Sequence, residues 1–127
     1  MDFKLLEAIR GEAGFAIYAK PAVISYLEEL SPEVMEKVAA LLEFVSESGI
    51  PKNDTKSGVL LDGLYELKSY QVRLAFVYDS NRRRTILLLY GFSKKTDRWP
   101  KPDLKAAKRA QSEALEAISK GTVKYVV

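Results

Sequence analysis

The sequence predicts an α+β domain: an N-terminal helical hairpin packed on a small antiparallel β-sheet, with one further helix at the C-terminus. Three observations lead there. Apolar residues between positions 23 and 45 recur at helical spacing. From Leu60 to Phe92 the pattern changes to short runs rich in β-branched, aromatic and leucine residues, separated by turn signals. A second helical period occupies Leu104–Ser119 and stops at Gly121.

In chain order, Phe15–Ala19 is short, apolar and aromatic and reads as a first strand. Pro21 suits the first turn of a helix, and Val23, Ile24, Leu27 and Leu30 follow on one side. Ser31-Pro32-Glu33 reads as an N-cap followed by proline at the first helical position. Val34, Val38, Leu41, Leu42 and Val45 then form one apolar stripe, ended by Gly49 and Pro51. The two helices share a short joint, which predicts an αα-hairpin. Lys52–Gly58 reads as a loop. Leu64–Lys68, Val72–Tyr78 and Thr85–Phe92 read as three strands of a meander, with Asp79-Ser80-Asn81 as a turn. Ile86–Tyr90 is apolar at every position, as in a central strand covered on both faces. Pro100 and Pro102 interrupt a basic loop, and Asp103 is the expected cap of the last helix. Thr122–Val127 has strand composition. Residues 1–14 read as an N-terminal extension and 15–127 as a single domain.

A chain of 127 residues, 47% of them hydrophobic, is large enough to bury its own core without staples. It contains no cysteine and no histidine. Disulfides, thiolate catalysis, histidine general bases and most zinc sites are thereby excluded. No apolar run approaches the roughly 18 residues of a membrane span, and no cleavable apolar segment opens the chain. The expected location is the cytoplasm, away from the membrane.

Net charge is +3, but its distribution is uneven. Residues 1–81 hold 8 basic and 13 acidic side chains, whereas residues 82–109 hold 10 basic and 2 acidic ones. Such a block is either a solvated face or the footprint of an anionic partner, nucleic acid or an acidic protein segment. Tyr90, Phe92 and Trp99 lie within it and offer stacking surfaces, which favours RNA.

Specific motifs run through the second half: Asp62-Gly63-Leu64-Tyr65-Glu66-Leu67-Lys68, Val72-Arg73-Leu74-Ala75-Phe76-Val77-Tyr78, Leu88-Leu89-Tyr90-Gly91-Phe92-Ser93-Lys94-Lys95-Thr96, then Pro102 and a helix with Ala106, Ala107 and Arg109. In this order and spacing they resemble the RelE/ParE toxin superfamily, closest to its HigB-like and phage-derived Gp49-like members. The resemblance implies a RelE-like fold and a toxin of a type II toxin–antitoxin pair. It further implies a ribosome-dependent mRNA endoribonuclease that blocks translation, with a HigA-like helix-turn-helix antitoxin, the ribosome and mRNA as partners. The superfamily also contains toxins that inhibit DNA gyrase without cutting RNA. That alternative stays open, as does an inactive relic that binds only its antitoxin.

Metal-independent RNA cleavage needs a 2′-hydroxyl deprotonated, a phosphorane-like charge stabilised and a 5′-oxygen protonated. Alternation puts Arg73, Ala75 and Val77 on one face of their strand. A guanidinium on an apolar sheet face needs a job or a partner. Its job is either to clamp the scissile phosphate or to pair with Glu66 on the adjacent strand. The resemblance favours the clamp. Lys94 and Lys95 follow the central strand and match the family's basic residue there, for phosphate charge or proton transfer. Lys68 fits the family's lysine near the 2′-hydroxyl, while Glu66 stands where a second basic residue is usual, as a carboxylate base or an Arg73 partner. Arg98 offers a phosphate contact, and Trp99 either stacks on a base or anchors the loop. Tyr90 and Tyr65 are the nearest tyrosines to a proton-donor position. Arg82, Arg83 and Arg84 form either a soluble hairpin tip or a contact for ribosomal RNA phosphates. Asp62, Asp79 and Asp103 are scattered, so neither a metal nor a cofactor is expected.

Overall fold

The computed structural model describes residues 1–96 and 98–127. Among them the chain forms β1 (Asp2–Glu7), β2 (Ala16–Ala19), α1 (Pro21–Glu28), α2 (Pro32–Ser48), β3 (Ser57–Leu61), β4 (Leu64–Ser69), β5 (Val72–Tyr78), β6 (Thr85–Ser93), α3 (Lys101–Lys120) and β7 (Lys124–Val126). All these strands share one sheet, in the order β3-β4-β5-β6-β2-β1-β7.

The architecture is thus strand-rich α+β, and the expected helical hairpin on a small antiparallel sheet is overturned. β3 to β6 do form an antiparallel meander. β2, however, runs parallel to β6, and β7 runs parallel to β1, which makes the sheet seven-stranded and mixed. The physical reason lies in β6. Ile86, Leu87, Leu88 and Leu89 are all at most 2% exposed, so both faces and both edges of this strand need cover. β5 takes one edge and β2 the other. Each side chain buried this way contributes about 2 kcal/mol. The first two helices pack on this larger sheet: α1 on β6, and α2 across β1, β2 and β4. Residues 2–7 of the N-terminal segment form β1, between β2 and β7, with Phe3 fully buried.

Two apolar layers result. On one face Ile17, Leu74, Phe76 and Leu88 meet Val23 and Leu27 of α1 and Val38, Leu42 and Val45 of α2. On the other, Ala75, Val77, Leu87 and Leu89 meet Ala107, Ala110, Ala114 and Ile118 of α3. Small residues at this helical spacing let α3 sit close to the strands. The helix starts at Lys101, three residues before the expected Leu104, and Asp103 lies inside its first turn instead of capping it. Pro102 is tolerated there because first-turn N–H groups have no intrahelical partner. The Ser31 cap is present, with Ser31 Oγ accepting from the Val34 N–H at 3.3 Å. Among the described residues no helix is long and apolar enough to cross a membrane.

Candidate functional site

Strand register assembles the site. Lys68 on β4 lies opposite Arg73 on β5, and Arg73 lies opposite Phe92 on β6. One pair further along, Glu66 faces Ala75 and Ala75 faces Tyr90. The pairing of β5 and β6 skips Leu89, a β-bulge between the Phe76–Leu88 and Ala75–Tyr90 pairs. Leu89 and Tyr90 consequently both join the apolar layer on the α3 side. The extra residue turns Tyr90 and Phe92 toward the face that carries Glu66 and Arg73.

Trp99, in the segment leading into α3, lies over this face. Its ring meets Phe92 edge-on at 4.4 Å between centroids, and its Nε1–H donates to Glu66 Oε1 at 3.0 Å. Glu66 is buried, and the same Oε1 faces Arg73 Nε at 3.8 Å. That separation makes the pair electrostatic, without a close hydrogen bond.

Arg73 Nη1 donates to the carbonyls of Tyr70 at 2.7 Å and Val72 at 3.0 Å. Its side chain is only 14% exposed. Among the described residues Nη2 has no hydrogen-bond partner, and no buried side-chain nitrogen or oxygen is left unpartnered. Nη1 and Nε are thus the guanidinium nitrogens with partners among the described residues. Tyr70, whose carbonyl holds Arg73, adopts a left-handed φ of 54° in the β4–β5 turn.

Lys68 Nζ donates to the Asp54 carbonyl at 2.7 Å, which fixes the ammonium beside β3. Lys94 and Lys95 follow β6 at this same end of the sheet, where the Lys94 N–H donates to the Gln71 carbonyl at 2.7 Å. Lys94 is half-buried, and Lys95 and Arg98 are exposed. The Tyr90 hydroxyl donates to Asp103 Oδ1 at 2.5 Å. Burial, then the bond to Asp103 and its negative charge, push the Tyr90 pKa up to about 12. Tyr65 packs on the other face, against Phe76 and Tyr78.

Arg82, Arg83 and Arg84 sit elsewhere. They lie in the turn between β5 and β6, about 20 Å from Arg73 by strand rise. Arg84 Nε donates to the Gly14 carbonyl at 2.8 Å and Nη2 to that of Gly11 at 2.5 Å, so this arginine ties down the segment between β1 and β2. Arg82 stacks 4.0 Å above the Tyr125 ring, whose hydroxyl bonds to the buried Asp79. Arg83 is exposed.

The structure thus gathers Glu66, Lys68, Arg73, Lys94, Lys95, Arg98 and Trp99 at one end of the sheet and leaves Arg82–Arg84 at the other. The Tyr90–Asp103 pair and the Phe92–Trp99 contact were not legible as parts of the site. A bulge inside the uniformly apolar Ile86–Tyr90 leaves no trace in the sequence. Among the described residues no group of three or more acidic side chains converges as metal ligands would.

A comparison with curated proteins finds no match. Residues 25–112, from α1 into the middle of α3, match the phage-derived protein Gp49-like family (DUF891), and the chain belongs to this RelE/HigB-like family, which fits a toxin of a toxin–antitoxin pair.

Proposed function

We propose that this toxin is a metal-independent endoribonuclease acting on mRNA in the ribosome. The observation that carries the reading is the cross-strand pair Lys68–Arg73 on the face shared by Glu66 and Trp99, with Lys94 and Lys95 following β6 at the same end of the sheet. Such a face suits a phosphodiester. Nη2 of Arg73 binds a non-bridging oxygen as charge develops there. Lys68 stands beside the 2′-hydroxyl. That hydroxyl gives its proton to water in the site and its oxygen bonds to phosphorus. The P–O5′ bond breaks and the 5′-oxygen takes a proton back from water, leaving a 2′,3′-cyclic phosphate and a 5′-hydroxyl with no net change in protons. Glu66, buried beneath Trp99, holds the guanidinium in place by charge and serves as a positioning residue. Lys94, Lys95 and Arg98 bind flanking phosphates. A helix-turn-helix antitoxin is the proposed neutralising partner.

Primer extension on transcripts after brief induction tests the reading. Cuts within codons should appear, and Arg73→Ala should reduce them by about 100- to 1,000-fold, the usual effect of losing one transition-state stabiliser.

One observation favours a second reading, in which the chain acts by binding alone. Nη1 of Arg73 is taken up by two backbone carbonyls and Nε faces Glu66, as in a structural arginine. In that case growth stops while transcripts stay whole.

A further inference from the structure

On the opposite side of the β4–β5 turn lies an open groove of about 740 Å³, between α2 and the segment that precedes β3. Nothing in the proposed cleavage uses it. Its floor is apolar, with Leu41, Phe44 and Tyr70, and its rim carries Lys37, Lys52 and Lys56. No carboxylate lines it among the described residues. Phe44 is 47% exposed and Tyr70 64%, a cost in solvent that a partner would relieve. The volume lies within the usual range of about 300–1,000 Å³ for ligand sites, most of them apolar with few polar groups.

We propose that this groove receives an acidic, amphipathic peptide segment of a partner protein. The pattern of apolar floor and cationic rim fits a segment with apolar anchors at i, i+3 or i+4 and carboxylates beside them. RNA fits less well. Lys37 Nζ already sits 4.8 Å above the Tyr70 ring centroid and occupies a face on which a base would stack. Ala40, Leu41 and Pro51, which also line the groove, offer nothing to a sugar–phosphate chain. Carboxylates on the incoming peptide pair with Lys52 and Lys56, while its apolar side chains cover Phe44.

Selection of short randomised peptides on the full chain tests the proposal independently of any nuclease activity. Enriched peptides should be acidic, with apolar residues at helical spacing. A selected peptide should shift amide resonances of residues 37–56 and 69–71. Binding should weaken about tenfold or more in Phe44→Ala and in the double variant K52E/K56E, each checked for folding by circular dichroism. Enrichment of basic or neutral peptides, or affinity unchanged in both variants, would overturn it. So would displacement of the peptide by an oligouridylate that shifts the same resonances, or a dimer of this chain that Phe44→Ala dissolves.

Discussion

The indole N–H of Trp99 donates to the carboxylate of Glu66 at 3.0 Å, joining the segment before α3 to the middle of β4. Glu66 is only 8% exposed, so this donor matters to a carboxylate that has little water. Trp99→Phe keeps an aromatic edge against Phe92 and removes the donor. The expected loss is about 1–3 kcal/mol, the cost of a buried acceptor left unsatisfied. Urea unfolding followed by far-ultraviolet circular dichroism measures it, and unchanged stability would mean that the bond contributes nothing net.

Arg73 is asked to do two jobs with one planar group: it engages the Tyr70 and Val72 carbonyls and Glu66, and in the proposed reaction it meets the phosphate. A lysine ammonium is a point charge and lacks that fork. Arg73→Lys should therefore cut transcripts nearly as poorly as Arg73→Ala, at equal protein levels in the primer-extension assay. Full activity in Arg73→Lys would show that charge alone suffices.

Arg84 holds two carbonyls, those of Gly11 and Gly14, in the segment between β1 and β2. Arg84→Ala should cost about 1–3 kcal/mol and expose residues 8–15 to limited proteolysis. Arg83→Ala, an exposed neighbour, should change stability by no more than about 0.5 kcal/mol. Equal effects from the two substitutions would remove the structural distinction between them.

Gly91 lies under the Tyr26 ring. A Cβ there would sit 2.7 Å from Tyr26 Cδ2 and 3.0 Å from Leu74 Cδ2. Gly91→Ala must push the ring outward and disturb its 2.8 Å bond to Ser93 Oγ. A loss of about 1–3 kcal/mol is expected from overpacking, read as a lower urea midpoint. Gly91→Ala combined with Tyr26→Ala should recover part of it.

Alkaline pH should weaken the fold. Burial, reinforced by Asp103, holds Tyr90 protonated to about 12, and burial with Asp79 shifts Tyr125 in the same direction. A tyrosine whose pKa is raised in the fold ionises first in the unfolded chain. Its contribution is complete below its ordinary pKa of 10.0 and is lost as pH climbs toward 12. Tyrosinate absorbance of the native protein should lag that of the urea-unfolded chain. In Tyr90→Phe the decline of stability above pH 10 should be shallower.

The central meander and α2 were readable because their residues alternate or repeat at periods that local geometry imposes. Ser31 and Pro32 marked the start of α2, and the alternation of Arg73 with Leu74 and Phe76 assigned its face. β1 escaped because Asp-Phe-Lys-Leu-Leu-Glu breaks alternation at its bulge after Leu5, and its partners are β2 and the distant β7. β3 escaped because Gly58 and the 70%-exposed Val59 belong to a sheet edge with a single neighbour. These strands owe their existence to tertiary pairing, which no local window contains. The cationic end of the site was legible as charge. The roles of Arg82 and Arg84 were not, because a guanidinium over Tyr125 or on the Gly14 carbonyl reads in sequence like any solvated one.

Trp99 is the one tryptophan in the chain, and it touches the face where a substrate would arrive. Its emission consequently comes from that face and from nowhere else in the molecule. A polyanion settling between Lys68 and Lys94 alters the field at the indole, so occupancy can be titrated by intrinsic fluorescence in the untagged protein, with no dye to perturb it.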